Sequence, residues 1–303
     1  MQVRIADHLG MCFGVRDAID LALRLTRQGP LTILGDLVHN PDVLTEMDQA
    51  GAARTSRPEE VNTRALLLTA HGTSQGVKND LREKGHQVHD ATCPLVKRAH
   101  LALAKLVAEG RHPVVIGEAS HVEVRGLVGD LNQYSIILNE EDLARLDEWA
   151  SRGCKFGIVS QTTQPLSVVF NLVEAIRRHF PANDIRFVDT VCQPTKDRQE
   201  SMERLATEVD VIVVVGGPDS NNSRKLTELA HRLGRPAYQV ASASELRPEW
   251  FQSVEIVGLT AGTSTPDRAI EEVRTWLEAM DVTSPKRDFS PLNLVDRMST
   301  ERR

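Results

Sequence analysis

The sequence lacks the features that mark secreted, membrane-spanning or nucleic-acid-binding proteins. Its 303 residues carry a formal net charge of −6, so there is no basic surplus to attract nucleic acid. No apolar run approaches the roughly 20 residues that span a bilayer. The first residues show no charged segment followed by an apolar core, as a secretory signal would. We therefore expect a cytoplasmic protein that binds neither nucleic acid nor membrane.

Cysteine is also scarce, and the four cysteines lie far apart: Cys12, Cys93, Cys154 and Cys192. In a reducing compartment such cysteines favour metal binding or catalysis over disulfides. A zinc site stays possible, but the C-x₂-C and His-x₃₋₅-His spacings typical of zinc sites are absent.

What the sequence does contain is a regular alternation of short apolar runs and helical patterns. This alternation predicts an α/β fold with largely parallel sheets. Predicted strands are 3–6, 31–34, 65–69, 113–116, 135–138, 156–160, 185–188, 211–215 and 255–260. Predicted helices include 15–27, 95–109, 167–180, 197–208, 222–233 and 267–280.

An internal repeat places three of the cysteines at equivalent corners. The segments RIADHLGMCFGV, VHDATCPLV and FVDTVCQPT each read as a strand, a turn with an Asp, a cysteine and then a helix. The helix dipole and free amides at such a position favour the thiolate. Cys154 does not fit the repeat, and we interpret it as a small buried strand residue.

Two polar strand ends follow each corner at similar distances. His39 lies 27 residues after Cys12, while His121 and Ser220 each lie 28 residues after their own cysteines. A further polar strand end in each unit carries His71, Thr162 or Ser264. Because ligands bind at the carboxyl ends of parallel strands, we expect all these residues to face one cavity on a pseudo-threefold axis. The alternative is that the three cysteines are unrelated core residues.

Three cysteines without an equivalent fourth suit a metal centre with one open position. A [4Fe–4S] cluster with three Cys ligands leaves one iron free to act as a Lewis acid on a substrate. The surrounding loops offer imidazoles, hydroxyls and amides but no Lys or Arg at their tips, a set that binds a phosphate group through neutral donors. The alternative is that these Ser, Thr and Asn side chains only cap helices.

Glu123 is the carboxylate closest in sequence to a loop histidine. Buried beside an anion, it would have a raised pKa and could donate protons. Alternatively it is a solvated glutamate that the helix dipole favours.

The motifs CFGV, VHN, AHGTSQ, DATCPLV, HVEVRG, SQTT, C-x₅-RQ, NNSRKL and AGTSTP run from Cys12 to about Pro266. In these motifs the chain resembles the LytB-type 4-hydroxy-3-methylbut-2-enyl diphosphate reductases, iron–sulfur enzymes that end the non-mevalonate isoprenoid pathway. DATCPLV together with AHGTSQ is highly specific for this family.

The resemblance implies three pseudo-threefold-related α/β units around a central [4Fe–4S] cluster, which Cys12, Cys93 and Cys192 would hold. It implies catalytic roles for Glu123 and Thr162. The implied diphosphate-binding residues are His39, His71, His121, Ser220, Asn221, Asn222 and Ser264. The implied partners are an allylic diphosphate substrate and an electron donor such as ferredoxin or flavodoxin. We expect a monomer with units at 1–92, 93–190 and 191–281 and a C-terminal tail at 282–303.

Several positions depart from the family pattern without removing an implied ligand or Glu123. They are Leu9, Phe13, Asp36, Glu118, Val122, Pro194 and Asn221. These departures leave two alternatives open. One is the same reductive dehydroxylation on another hydroxylated substrate in specialised metabolism, and the other is a non-catalytic iron–sulfur sensor or binding protein.

Overall fold

Twelve strands alternate with ten α-helices over residues 1–280, the part of the chain that the computed structural model describes. The tail predicted at 282–303 lies outside the described residues. The strands are β1 (Gln2–Ile5), β2 (Leu31–Leu34), β3 (Ala52–Thr55), β4 (Ala65–Leu68), β5 (Gln87–Asp90), β6 (His112–Ile116), β7 (Ser135–Ile137), β8 (Phe156–Ser160), β9 (Ile185–Phe187), β10 (Val211–Val215), β11 (Ala237–Val240) and β12 (Ile256–Ala261).

The helices lie between these strands, as the predicted alternation requires. They are α1 (Phe13–Thr26), α2 (Pro41–Gln49), α3 (Gln75–Glu83), α4 (Pro94–Ala108), α5 (Val122–Val128), α6 (Asp147–Ser151), α7 (Leu166–His179), α8 (Gln193–Glu208), α9 (Asn221–Arg232) and α10 (Asp267–Ala279). Every predicted strand and helix is confirmed to within about two residues, except that α8 begins four residues earlier than expected. The strand β5 was expected only as the start of the VHDATCPLV corner, and β3 and β11 were not predicted, because these short edge strands lack a continuous apolar run.

The strands form three four-stranded parallel sheets with the same strand order. The first sheet runs β3-β2-β4-β5, the second β7-β6-β8-β9, and the third β11-β10-β12-β1. In each sheet the edge strand at the end of this order is the one that leads to a repeat cysteine. The pseudo-threefold α/β architecture expected from the repeat is therefore confirmed at the level of sheet topology.

The strand β1 belongs to the third sheet although it opens the chain. It pairs with β12 in parallel, with Gln2 opposite Ile256 and Ile5 opposite Leu259. The chain thus begins in the sheet where its last strand lies, which closes the three units into a ring. The unit boundaries at 1–92, 93–190 and 191–281 stay a prediction, but residues 2–5 pair with strands of the third unit.

Each repeat cysteine lies where the chain leaves one sheet and enters a helix that packs on the next. Helix α1 packs on the first sheet, α4 on the second, and α8 on the third. The buried contacts include Ala18 and Ala22 near Ile33, Leu103 and Leu106 near Val159, and Met202 and Leu205 near Val214. The three cysteine corners are therefore the three crossings between units, and they meet at the centre.

The core lies on both faces of each sheet, as expected for parallel strands covered by helices. Along β10, Val211, Val213 and Val215 pack into one apolar cluster, while Ile212 and Val214 pack into the opposite one. Within residues 1–280, no helix is both long and apolar enough to cross a membrane.

Candidate active site

A cavity lies where the carboxyl ends of the three sheets meet. It encloses about 700 Å³ of space, including its open mouth. All twelve residues predicted for the site line this cavity: Cys12, Cys93, Cys192, His39, His71, His121, Glu123, Thr162, Ser220, Asn221, Asn222 and Ser264. Residues more than 250 positions apart in sequence thus converge, because each follows the carboxyl end of a strand.

The three repeat cysteines occupy equivalent positions. Each is the N-cap residue of its helix, and none uses its side chain to cap that helix. Each cysteine amide also donates to a carbonyl at the end of the neighbouring strand of its sheet: Cys12 to Thr263 at 3.1 Å, Cys93 to Ala70 at 3.0 Å and Cys192 to Thr162 at 2.9 Å. This shared hydrogen bond fixes the backbone of all three corners, and none of the three thiols forms a disulfide.

Burial, rather than the helix dipole, dominates the thiols of Cys93 and Cys192. It raises the pKa of Cys93 even though the amides of Leu95 and Val96 lower it. It raises the pKa of Cys192 to about 11, although the Thr195 hydroxyl lies 3.1 Å from the sulfur. The expectation that the corner favours the thiolate was therefore wrong for these two residues in the metal-free chain. A metal would reverse this balance, since coordination deprotonates a thiol.

The cysteines surround the cavity instead of crowding at one point. Within residues 1–280, no three His, Cys, Asp or Glu side chains lie close enough together to hold a single metal ion. Cys154 is not among the lining residues. It is half-buried and precedes β8, so its interpretation as a buried strand residue was wrong.

Gly14 allows two of the corners to approach each other. A Cβ atom at this position would lie 2.5 Å from the Cys93 sulfur, closer than any side-chain carbon can come. The second residue of α1 therefore forms part of the wall around Cys93. This glycine belongs to the CFGV motif, but only its distance to Cys93 shows what it does.

An Arg-Gln pair of α8 ties the third unit to the other two. Arg198 donates to the Gly10 carbonyl, next to the Cys12 corner. Gln199 accepts from the Leu166 amide at 3.0 Å and donates to the Gln164 carbonyl at 3.3 Å, both in the second unit. The motif C-x₅-RQ indicated these residues, but only the packing of α8 shows what they contact.

Three histidines form one wall of the cavity. The ring centroids of His39 and His71 are 4.4 Å apart, and that of His121 lies 5.6 and 5.7 Å from them. Burial lowers the pKa of His39, holds that of His71 well below its ordinary value and lowers that of His121 to about 4. All three rings are therefore neutral near pH 7 in the ligand-free chain.

Two buried side-chain nitrogen atoms in the same wall have no partner among the described residues. They are Nδ1 of His71 and Nδ2 of Asn222. Among residues 1–280, no Lys or Arg lines the cavity. Unsatisfied buried polar atoms are costly, and the Asn222 nitrogen can only donate, so this wall suits a ligand that brings hydrogen-bond acceptors.

The alternative that the loop residues only cap helices is true in part. The Ser220 hydroxyl accepts from the Ser223 amide, and Nδ1 of His121 accepts from the Glu123 amide at 3.2 Å. Both residues nevertheless line the cavity. Because Nδ1 of His121 is an acceptor, the ring carries its proton on Nε2 when neutral. Capping therefore orients these side chains without removing them from the site.

Glu123 lies in the first turn of α5 and is only 2% exposed, so the alternative of a solvated glutamate was wrong. Thr162 binds both of its carboxyl oxygens, with its amide 2.6 Å from Oε1 and its hydroxyl 2.8 Å from Oε2. Burial raises the pKa of Glu123 to about 7, against the opposing effect of these two hydrogen bonds. A carboxyl group with this pKa can both hold and release a proton near neutral pH.

The loops of different units also contact each other across the cavity. The Ser264 hydroxyl donates to the His39 carbonyl at 3.2 Å, and the side-chain amide of Asn221 donates to the Thr163 hydroxyl at 3.2 Å. The wall is therefore built jointly by the three units.

Of the seven departures from the family pattern, only Asn221 lines the cavity. The others are Leu9, Phe13, Asp36, Glu118, Val122 and Pro194. The Phe13 ring is 46% exposed, Asp36 pairs with Arg54 at 3.0 Å, and Glu118 pairs with Arg224 at 2.8 Å. Six of the seven altered residues therefore lie outside the lining of the cavity.

The chain matches the family model described as LytB protein over residues 3–278. Among curated proteins it is similar to the 4-hydroxy-3-methylbut-2-enyl diphosphate reductase of Methylibium petroleiphilum, with 38% identity over 94% of this chain and 87% of that protein. It is also similar to the reductase of the same name from Aquifex aeolicus, with 36% identity over 92% of this chain and 96% of that protein.

Two solved structures share the fold. That of the E-1-hydroxy-2-methyl-but-2-enyl-4-diphosphate reductase from Plasmodium falciparum superposes with a TM-score of 0.86 at 25% identity, over 91% of this chain and 87% of that one. A structure of (E)-4-hydroxy-3-methyl-but-2-enyl diphosphate reductase, described as the terminal enzyme of the non-mevalonate pathway, has a TM-score of 0.67 at 36% identity. It covers 92% of this chain and 100% of that one.

Proposed function

This chain belongs to the LytB protein family, and on that premise we propose that it is a 4-hydroxy-3-methylbut-2-enyl diphosphate reductase. The reaction removes the allylic hydroxyl group of this diphosphate. Two electrons and two protons convert the substrate into isopentenyl or dimethylallyl diphosphate and one water. The observation that carries the proposal is that all twelve residues implied by the family motifs line one cavity.

The cofactor we propose is a [4Fe–4S] cluster held by Cys12, Cys93 and Cys192. The donor set fits, because three free thiols surround one cavity at equivalent helix starts. The absence of a Cβ at Gly14 keeps the space beside the Cys93 sulfur open. When bound, the cluster would supply the electrons and a Lewis-acidic iron for cleavage of the C–O bond.

The diphosphate group is assigned to the histidine wall and the polar loops of the third unit. His39, His71 and His121 present imidazole donors, and Asn222 adds a buried amide without a partner. Ser220, Asn221 and Ser264 complete the set. A bound diphosphate would accept these hydrogen bonds and raise the pKa values of the three rings, so protonation of histidine would strengthen binding. Anchoring the diphosphate orients the carbon chain in the cavity.

Glu123 and Thr162 are assigned to proton transfer. The raised pKa of Glu123 keeps part of its population protonated at neutral pH. The Thr162 hydroxyl touches this carboxyl group and also lines the cavity. A proton can therefore move from Glu123 by way of Thr162 to the departing hydroxyl group or to the allylic carbon.

The family substrate is favoured over a different substrate of specialised metabolism, because six of the seven departures do not line the cavity. A sensor without catalysis would need the three thiols but not a buried proton donor among them, which Glu123 supplies. As electron donor we propose a small redox protein such as ferredoxin or flavodoxin. We further propose that the enzyme works as a monomer in the cytoplasm.

The test is an anaerobic assay with reconstituted protein, dithionite-reduced viologen dye and the hydroxylated diphosphate. Substrate-dependent oxidation of the dye, with both product diphosphates formed, is the expected result. Protein that carries an intact cluster but does not oxidise the dye would exclude this substrate. Cluster content is read separately from its absorbance and from iron and sulfide analysis.

A further inference from the structure

Arg198 is a buried cation that forms no salt bridge with any residue the structure describes. Its side chain is 5% exposed, although arginine is almost never fully buried unless it is paired. Among residues 1–280 it forms no salt bridge; its hydrogen bonds go to two backbone carbonyls. Its Nε atom is buried and has no partner within this part of the chain.

The two carbonyls belong to two different cysteine corners. Nη1 donates to the Pro194 carbonyl at 2.8 Å, two residues after Cys192. Nη2 donates to the Gly10 carbonyl, two residues before Cys12. One guanidinium group therefore bridges the first and the third corner, through carbonyls that lie two residues from each of two proposed cluster ligands.

An unpaired buried charge is expensive, so an arginine in this position calls for a negative partner. Burial lowers the pKa of Arg198, while Asp197 and, when they are ionised, the thiols of Cys12 and Cys192 oppose that shift. Three thiolates holding an iron–sulfur cluster would provide the missing negative charge. A carboxylate could have played this part, but Asp197, the adjacent residue, forms no salt bridge with Arg198 and instead accepts from Gln193 at 2.6 Å.

We propose that Arg198 is the fixed counter-charge of the cluster site and a positioning residue that sets the reduction potential of the bound cluster. The inference rests on the proposed cofactor but not on the identity of the substrate. A one-electron reduction, with dithionite as the reductant, adds one negative charge to the cluster. A fixed positive charge in a dry environment favours this reduced form. Removing the charge therefore makes the cluster harder to reduce.

The experiment compares the midpoint potentials of four substrate-free, anaerobically reconstituted proteins: wild type, Arg198→Gln, Arg198→Lys and Arg204→Gln. Arg198→Gln removes the charge, while Arg198→Lys keeps the charge but cannot donate to both carbonyls as the planar guanidinium group does. Arg204 is the matched control, since it lies on the same helix and also reaches toward the first corner, through Asp7 at 3.0 Å. Its side chain is 49% exposed, so its charge is screened by water.

We expect Arg198→Gln to shift the potential to more negative values, by at least a tenfold loss in the reduction equilibrium, which is about 59 mV for one electron. Arg198→Lys and Arg204→Gln should stay close to wild type. An unchanged potential in Arg198→Gln, or an equal shift in both variants at 198, would overturn the proposal, since charge would then not be the cause.

If Arg198→Gln does not take up iron, its midpoint potential cannot be measured, and the amount of bound iron and sulfide becomes the test. Retention of iron and sulfide by Arg198→Lys, with loss in Arg198→Gln, supports the need for a charge. Loss in both variants points to a purely structural role and overturns the inference. The two proposals can fail separately. If wild-type protein reduces the diphosphate but the cluster of Arg198→Gln has the wild-type midpoint potential, this inference is refuted and the proposed function stands.

Discussion

Thr162 holds both carboxyl oxygens of Glu123, one through its amide at 2.6 Å and one through its hydroxyl at 2.8 Å. The backbone contact fixes the position of the carboxyl group, and the hydroxyl contact connects it to the cavity. The Thr162 carbonyl also accepts a hydrogen bond from the Cys192 amide. One residue thus links the proposed proton donor to a proposed cluster ligand, and this arrangement leads to the first two predictions.

Replacing Glu123 by glutamine should reduce turnover by roughly 100-fold or more, since general acid catalysis contributes about that much. The cluster absorbance should not change, because Glu123 is not a proposed ligand. The measurement is steady-state dye oxidation at pH 7 with cluster content determined in parallel. Glu140→Gln, which alters an exposed carboxylate, is the control and should behave like wild type. Full activity in Glu123→Gln would show that the proton comes from elsewhere.

The same substitution should change how folding stability depends on pH in cluster-free protein. The folded pKa of Glu123 is about 7 against an ordinary value of 4.5, so the folded state binds the proton more tightly than the unfolded state. Below pH 4.5 the Glu123 carboxyl group is protonated in both the folded and the unfolded state, so it does not lower the free energy of unfolding. Between pH 4.5 and 7 the folded state loses stability relative to the unfolded state, and the loss approaches about 3 kcal/mol above pH 7.

Glu123→Gln should therefore show a smaller fall in Tm than wild type between pH 5.5 and 8. Thermal melting followed by circular dichroism measures this difference. Parallel curves for the two proteins would mean that the carboxyl group titrates at its ordinary pKa. The Glu140→Gln protein again serves as the reference.

Serine at any one of the three repeat cysteines should abolish the reconstituted cluster. A three-ligand site has no spare thiolate, and a serine hydroxyl is a poor substitute for the thiolate that iron prefers. Cys154→Ser is the matched control, because this residue does not line the cavity. Iron and sulfide analysis with the visible spectrum checks both outcomes. An intact spectrum in Cys93→Ser would overturn the ligand assignment.

His71→Asn should weaken binding of the diphosphate group. His71 has a buried ring nitrogen without a partner, and a hydrogen bond to a charged group contributes about 1.5–3 kcal/mol, or roughly 10- to 150-fold in affinity. The KM for the substrate should rise accordingly. The stabilisation of cluster-free protein by inorganic pyrophosphate, measured as a Tm shift, should shrink. His231→Asn, at an exposed position outside the cavity, should leave both values unchanged.

Substitutions at two neighbouring residues distinguish a position beside the proposed cluster from a position on the protein surface. Gly14→Ala places a methyl group 2.5 Å from the Cys93 sulfur and 3.1 Å from its Cβ atom, and should therefore reduce cluster retention. Phe13→Ala removes an exposed ring and should leave cluster content and KM at wild-type values. The comparison is made by iron analysis after gel filtration. A changed substrate preference in Phe13→Ala would reopen the alternative of a different substrate.

Much of the fold could be predicted because its signals are local. Proline after Cys93 and the apolar periodicity that follows mark a helix start, and Cys93 is indeed the N-cap residue of α4. The repeat of this corner then predicted convergence, because equivalent strand ends in parallel sheets face the same way. All twelve expected residues line the cavity for that reason.

What the sequence could not provide depends on burial and on contacts between distant segments. The role of Gly14 needs the distance to Cys93, and the role of Arg198 needs the Gly10 carbonyl, 188 residues away. The direction of the pKa shift of Cys192 also depends on how deeply the thiol is buried, which outweighs the local helix dipole.

By itself, then, the sequence determined where the strands end and the helices begin, and hence which polar residues stand at the carboxyl ends of strands. Turn chemistry and periodicity act over a few residues, so they can be read directly from the chain. Only the tertiary structure decided that β1 pairs with the third sheet, which closes the ring and brings Cys12 beside the other two corners. That pairing depends on packing between residues more than 250 positions apart, where no local pattern can act.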